Sequence, residues 1–417
     1  MIIAKESAPH LRRKASVTRM MVDVLIALAP TLIFSFVVFP IKTLIFYALS
    51  VSIMVGSEFV YTCLRNMPPK DYKVRSKSER RLLADSKLSE YQKDHNLNED
   101  EKVRYWKEQY KACKFEYGSK KPFKEWFKGK FNQNNILTAC ITAVIYTLIM
   151  PAGAPIYAVI VGALAGIILG KLVFGGLGSN IFNPAAVGML FAKICFGSQY
   201  AKNVETWFYT VPDVATSPTV LTNTVDTGLS GLVSNMNNAN LLDMFLGRMY
   251  GTLGEVYAVT ILIGAVYLLI RRSADFRVML TYIGSFGFFA LIAGISLFAV
   301  DGATNPFIFM LFSLLSGGIL FGGVFMLTDP VTSPINSPSR IIYALVAAVS
   351  TIFIRLFAAL PEGVGFSILI ANMVAVVLDH FEWSSSRYTW KKFLAMGLLV
   401  VIPALTIFLV IKFGGVY

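Results

Sequence analysis

The sequence predicts an all-α polytopic membrane protein of about eleven transmembrane helices, with a core of two inverted five-helix repeats. Three observations carry that reading. Of the 417 residues 55% are hydrophobic and only 15% charged, with mean hydropathy +0.60, which leaves too little polar surface to cover a water-soluble globule. Apolar runs of about 20 residues, the length that crosses a bilayer, recur along the chain. The two halves also share an order of features that composition alone does not require.

Taken in order, Met1–Arg19 is polar and basic without an apolar core and runs straight into a hydrophobic span, which argues against a cleavable signal peptide and for a cytoplasmic N-terminus. Spans at 20–40 and 43–64 complete a first segment, 1–64. A hydrophilic insert, 65–134, follows, and then spans 135–152, 155–174 and 182–197. The long loop 198–253 separates these from a second set, 254–271, 277–300, 307–327, 340–360 and 363–380, which together make up 254–380. A linker and an extra span at 392–413 fill 381–417. The fifth and tenth spans are short and interrupted by Gly and Pro, so they are expected to be broken helices that face protein rather than lipid.

Orientation follows from the basic residues, because Lys and Arg near span ends mark the cytoplasmic side. Residues 65–134 hold 19 Lys/Arg against 11 Asp/Glu, a net +8 of the chain's +13, and are placed in the cytoplasm. Counting spans onward makes the loop 198–253 external. Within the insert, Ser76–Gln92 and Glu99–Lys114 read as charged helices, accompanied by Tyr105, Trp106, Phe115, Trp126 and Phe127. Two readings stand: a docking surface for partner subunits or anionic lipid headgroups, or a solvated helical hairpin. Nucleic acid is disfavoured, since acids and bases are interleaved.

The halves 148–176 and 325–359 share a span ending at Pro151 or Pro330, a turn, and a span carrying one cation, Lys171 or Arg355. Each is followed by an interrupted helix, "NIFNPAAVGMLFA" or "EGVGFSILIANMVA". Five being odd, such repeats must be inverted, which places a substrate or ion path near the bilayer midplane at their interface.

Chemistry within the membrane starts from what is missing. Cys63, Cys113, Cys140 and Cys195 show no ligand-like spacing, and His10, His95 and His380 are equally dispersed, which argues against an iron–sulfur cluster, a disulfide framework or haem held by this chain alone. Ionisable groups within spans are costly and therefore candidates for function: Asp23, Glu58, Asp329 and Asp379. Lys171 and Arg355 are their possible charge partners, with structural ion pairing the plainer role. The glycines of "FGGLGSN" (174–180) read as close helix packing and a hinge, because no strand precedes them to make a phosphate loop. The external loop contains "PDVATSPTVLTN" (212–223), a Ser/Thr-rich turn in which Asp213 precedes Thr216, Ser217 and Thr219.

That loop resembles the Asp-x-x-Ser/Thr-Gly/Ser-Ala-Thr site at which a flavin transferase attaches FMN through its phosphate to a threonine, here Thr219. The chain is similar to the RnfD component of Rnf electron-transport complexes and to the NqrB component of sodium-pumping NADH:quinone oxidoreductases over nearly all of its length outside 66–134 and 385–417. The strongest pieces are "KLVFGGLGSNIFNPA" (171–185), "GEVYA" (254–258), "FMLTDPVTSP" (325–334), "IRLFAALPEG" (354–363) and "ANMVAVVLDH" (371–380). The short start with "APHLRRKASVTRMM" (8–21) resembles the Rnf member more. The resemblance implies a flavin-carrying subunit of a redox-driven Na⁺ or H⁺ translocase, not catalytic alone. It also implies FMN on Thr219, a second, non-covalent riboflavin that no motif places here, and cation handling by Glu58, Asp329 and Asp379. The partners implied are the other subunits of the complex, a flavin transferase and the lipid bilayer of the cell membrane. Pro218 departs from the pattern's Ala, and proline fixes φ and lacks an N–H. A non-redox channel with a urea- or ammonium-channel-like inverted repeat is the alternative, and it requires no flavin.

Overall fold

A computed structural model describes residues 17–65, 72–74, 76–94, 98–113, 115–117, 133–200, 229–234, 236, 240–247, 251–255, 257–358, 363–380 and 387–413. The chain divides into two compact units, Met1–Glu58 with Gln133–Tyr417, and Phe59–Asn132.

In the larger unit, α1 (Val17–Val38) and α2 (Pro40–Arg65) form a hairpin whose turn buries its own hydroxyls: Ser35 Oγ and Thr43 Oγ1 stand 3.0 Å apart, and Thr43 donates to the Ser35 carbonyl at 3.1 Å. After the insert come α5 (Gln133–Ile149), α6 (Ile156–Ile167), which continues as a π-helical turn over Ile168–Leu172, and α7 (Pro184–Tyr200). The short α8 (Leu241–Leu246) precedes α9 (Ala258–Arg271) and α10 (Phe276–Asp301). Then follow α11 (Pro306–Leu315), the single turn α12 (Ile319–Phe321) with its own π turn Gly322–Met326, α13 (Ser337–Phe357), α14 (Val364–Leu378) and α15 (Trp390–Phe413).

Caps set several of these starts. Asn183 accepts from Ala185 N at 3.0 Å with Pro184 at the first helical position of α7, and Asn305 accepts from Phe307 N at 3.0 Å before Pro306 of α11. Asp275 does the same for α10, which Gly302 then ends at φ +65°.

A helix stands on each segment that hydropathy marks. Among the described residues five are long and apolar enough to cross a bilayer, the pair Pro306–Leu315 and Ile319–Met326 makes a sixth with a 64° bend, and five apolar helices are shorter. The bend is the main departure from expectation. The tenth span, α14, is a continuous helix, the fifth, α7, is kinked at Phe196, and the sharp break falls in the eighth. Hydropathy averages over this, because the leucines and isoleucine of "SLLSGGIL" keep the window apolar while Gly317, at φ +64°, turns the backbone out of the helical register. The glycines of 174–180 also differ from expectation: Gly175, Gly176 and Gly178 take φ of 115°, 91° and 84°, making a left-handed turn rather than a packing face.

Close packing falls instead on α6 and α7. Gly162, Gly166 and Gly170 recur every fourth residue and so share one helix face. A Cβ added at Gly188 would lie 2.6 Å from the Gly162 carbonyl oxygen and 3.2 Å from Gly166 Cα, and one added at Gly166 would lie 2.7 Å from the Pro184 carbonyl oxygen. Small residues let membrane helices approach this closely. Gly188→Val is accordingly expected to destabilise the protein by about 3 kcal/mol or more through overpacking, read as a lowered thermal midpoint of the detergent-solubilised chain; an unchanged midpoint would show that the crossing relaxes freely. Contacts also link the first span with the sixth (α1 with α9) and the fifth with the tenth (α7 with α14). Gly264 abuts the Ala27 carbonyl in one contact, and Gly365 abuts Met189 and Leu190 in the other.

The smaller unit is a helical hairpin, α3 (Lys77–Asp94) and α4 (Glu99–Ala112), flanked by strands Tyr72–Val74 and Phe115–Tyr117 paired antiparallel with Lys73 opposite Glu116. Asn98 and Glu101 form a capping box at the start of α4. Four of its aromatics make contacts within the hairpin: Tyr91 stacks on Tyr105 at 4.3 Å, Trp106 donates to Asp85 at 2.6 Å, and Arg80 lies over Tyr110. Both predicted helices are present.

Candidate functional site

Two deeply buried charges in the larger unit form a pair. Lys171 sits in the π turn that ends α6, where the widened helix carries its ammonium inward, and its Nζ lies 3.0 Å from Glu58 Oε2 of α2. The two side chains are 3% and 2% exposed. Lys171 also donates to Thr138 Oγ1 of α5 at 2.9 Å. Three helices thus converge on one cation, and burying both charges together avoids the far larger cost of burying either alone.

Asp329 is a second carboxylate within electrostatic range of Lys171. It follows the π turn Gly322–Met326 and accepts from Val331 N and from Thr332 Oγ1, both at 3.2 Å. The two π turns therefore deliver Lys171 from the first half and Asp329 from the second towards each other. Asn183, whose carboxamide oxygen caps α7, reaches across with its other end to donate to the Met326 carbonyl at 3.3 Å. "SNIFNPA" and "FMLTDPVTSP" are in this way joined at the junction of the halves.

Asp379, which caps α14, accepts the Ile335 N–H at 3.1 Å, so it braces the far end of the same 329–335 loop that Asp329 opens. Asp23 belongs elsewhere: it accepts from Arg271, Tyr267 and Ser273, tying α1 to α9. Arg355 is buried at 5% exposure and donates to the Ser313 carbonyl at 2.7 Å, the Ser316 carbonyl at 3.0 Å and Ser316 Oγ at 3.2 Å.

Sequence reasoning singled out Glu58, Lys171 and Asp329 but missed Thr138 and Asn183, as well as two polar links through the second half. In one, Tyr282, Thr351 and Ser367 form a chain of hydroxyls, at 3.1 and 2.7 Å. In the other, Tyr343 donates to Asn372 at 2.9 Å. Asn-Pro at the foot of an apolar run was the readable signal for Asn183. Thr219, Asp213, Thr216 and Ser217 lie outside the described residues. No group of three or more His, Cys, Asp or Glu able to hold a metal occurs among the described residues.

The model of the NQR2, RnfD, RnfE family matches residues 4–77 and 120–386, leaving 78–119 and the helix α15 outside the match. The NqrB component of the Na(+)-translocating NADH-quinone reductase of Chromohalobacter salexigens is 36% identical over 244 residues, 58% of this chain and 57% of that protein. Its counterpart from Azotobacter vinelandii is 32% identical over 245 residues, 58% of each chain. The RnfD component of the Na(+)-translocating ferredoxin:NAD(+) oxidoreductase complex of Acetobacterium woodii is 31% identical over 249 residues, 59% of this chain and 71% of that protein. The chain therefore spans a little under three-fifths of the length of the reductase components it matches. With its apolar helices and the extent of the family match, this is a multi-pass membrane protein that belongs to the NQR2, RnfD, RnfE family.

Proposed function

We propose that the chain is the flavin-carrying membrane subunit of a redox-driven, Na⁺- or H⁺-translocating complex of the Rnf type. The observation that carries this reading is the buried Glu58–Lys171 pair with Asp329 within electrostatic range of the lysine, in a chain of this family. A carboxylate buried this deep beside a cation, with a second, half-buried carboxylate in electrostatic range, offers a monovalent ion groups to exchange for its water on the way across. Glu58 and Asp329 form the centre of the ion path and Asp379 stands at its loop end, with Lys171 and Arg355 as charge partners.

FMN is tethered through its phosphate to Thr219, with Asp213, Thr216 and Ser217 forming the segment that the flavin transferase reads. A threonine hydroxyl is a weak nucleophile without an activating partner, so an outside enzyme must make the ester. When bound, FMN supplies one- and two-electron transfer. This chain supplies the tether and the ion path, and the other subunits deliver and remove electrons. A riboflavin held between helices would extend the relay. The N-terminus and the hairpin unit face the cytoplasm, and the Thr219 loop faces outward.

The test is denaturing electrophoresis under ultraviolet light of protein made with the flavin transferase. Wild type should give a fluorescent band and Thr219→Val a dark one. A dark wild-type band, or a bright Thr219→Val band, overturns the assignment of the tether.

A further inference from the structure

The eighth span breaks inside the helical core. α11 ends at Leu315, Gly317 takes φ +64°, and the chain leaves at a 64° bend. Ending a helix there leaves the last-turn carbonyls without helical partners at the negative end of the helix dipole, and the Ser316 hydroxyl donates to the Ser313 carbonyl at 3.2 Å. The carbonyls of Ser313 and Ser316 and the Ser316 hydroxyl all take hydrogen bonds from Arg355, reaching in from α13 at 2.7, 3.0 and 3.2 Å. The guanidinium also lies 5.4 Å from the Phe286 ring centre of α10. A carboxylate stands at the same break: a Cβ on Gly318 would lie 2.3 Å from Glu255 Oε1.

Two carbonyls, a hydroxyl and a ring face are what a monovalent cation takes in exchange for its hydration shell, and the C-terminal ends of broken membrane half-helices serve as such sites. The first half repeats the construction. Lys171 in the fourth span meets the second span through Glu58 and the third through Thr138; Arg355 in the ninth meets the seventh through Phe286 and the eighth through Ser313 and Ser316. The second span contributes Glu58 and the seventh the Phe286 ring, and arginine, unlike lysine, does not give up its proton.

We infer that the break in the eighth span is a monovalent-cation site filled by the chain's own cation, Arg355, acting as a tethered plug that keeps this half closed to free ions. The inference rests on the reading of the chain as part of an ion translocase.

The experiment uses the intact complex in sealed vesicles without electron donor and follows leak of radiolabelled sodium, and of protons by a pH dye, under an imposed potential. Wild type should be tight. Arg355→Gln removes a fixed charge from a low-dielectric path, so leak is expected to rise at least about tenfold, and millimolar guanidinium chloride, which restores the missing ion, should suppress it. An assembled Arg355→Gln complex as tight as wild type, or a leak that guanidinium does not touch, overturns the plug. If Arg355→Gln does not assemble, Arg355→Lys decides. Its compact ammonium cannot match the planar fork and leaves an acceptor open, so leak should rise about threefold; wild-type tightness there makes Arg355 a helix cap only and overturns the proposal. The translocation reading is scored separately, by whether wild-type vesicles take up Na⁺ or H⁺ when donor is added.

Discussion

Lys171→Met is expected to destabilise the protein by about 3–5 kcal/mol, because it leaves the Glu58 carboxylate buried without its cation. The neighbourhood offers little relief: Glu58 is 2% exposed, and Thr138, the other partner of Lys171, already donates its hydroxyl to the carbonyls of Asn134 and Asn135 on its own helix. Thr138 would also lose the ammonium that donates to its oxygen at 2.9 Å. Glu58→Gln should be milder, since an amide oxygen still accepts from the ammonium. The double variant Glu58→Gln, Lys171→Met should recover most of the loss, as neither charge remains to be desolvated. The coupling between the two sites is then the signature of the pair, expected at about 2–3 kcal/mol in the cycle of thermal or denaturant midpoints. Additive effects of the two substitutions would show that the pair is not formed in the membrane. The double variant also separates stability from function, because it keeps the packing while removing both charges from the proposed ion path.

How much of this was legible in the sequence depends on which interactions leave a side-chain trace. The helices were, because about 20 apolar residues in a row have few other uses. Lys171, Arg355, Glu58 and Asp329 stood out as charges where charges are costly, yet the pairing of Glu58 with Lys171 did not follow, since the 70-residue insert 65–134 separates the two spans in sequence. The partners of Arg355 are largely backbone carbonyls, which every residue possesses and no motif marks. The π turns and the bend in the eighth span are shifts of hydrogen-bond register within segments whose mean hydropathy stays high, so hydropathy passes over them. The glycines show the same limit from the other side. The fourfold spacing of Gly162, Gly166 and Gly170 was a readable packing signal, whereas the denser run at 174–180 turned out to supply positive φ. Thr219 stands apart, since only the resemblance, and no elementary rule of turns or charge, distinguishes it from other threonines in its loop.

Asp329→Asn is expected to do the reverse of Lys171→Met, sparing the fold and removing the function. Asp329 is half-buried, and its local duties are modest: it accepts the Val331 N–H and the Thr332 hydroxyl, both at 3.2 Å. An asparagine oxygen keeps the first bond, and the threonine hydroxyl is free to turn, so the stability change should stay within about 1 kcal/mol. What asparagine cannot supply is the second negative charge facing Lys171. Asp329 is a second carboxylate within electrostatic range of Lys171, so an arriving cation can take up Asp329 while the lysine stays paired with Glu58. With Asp329 neutral, Lys171 has a single anionic partner, Glu58 at 3.0 Å, and no charge is left over for the ion. Redox-driven Na⁺ or H⁺ uptake into vesicles should therefore fall at least about tenfold while the complex assembles with its flavin band intact. Uptake at the wild-type rate would remove Asp329 from the path and leave the meeting of the two π turns as packing alone.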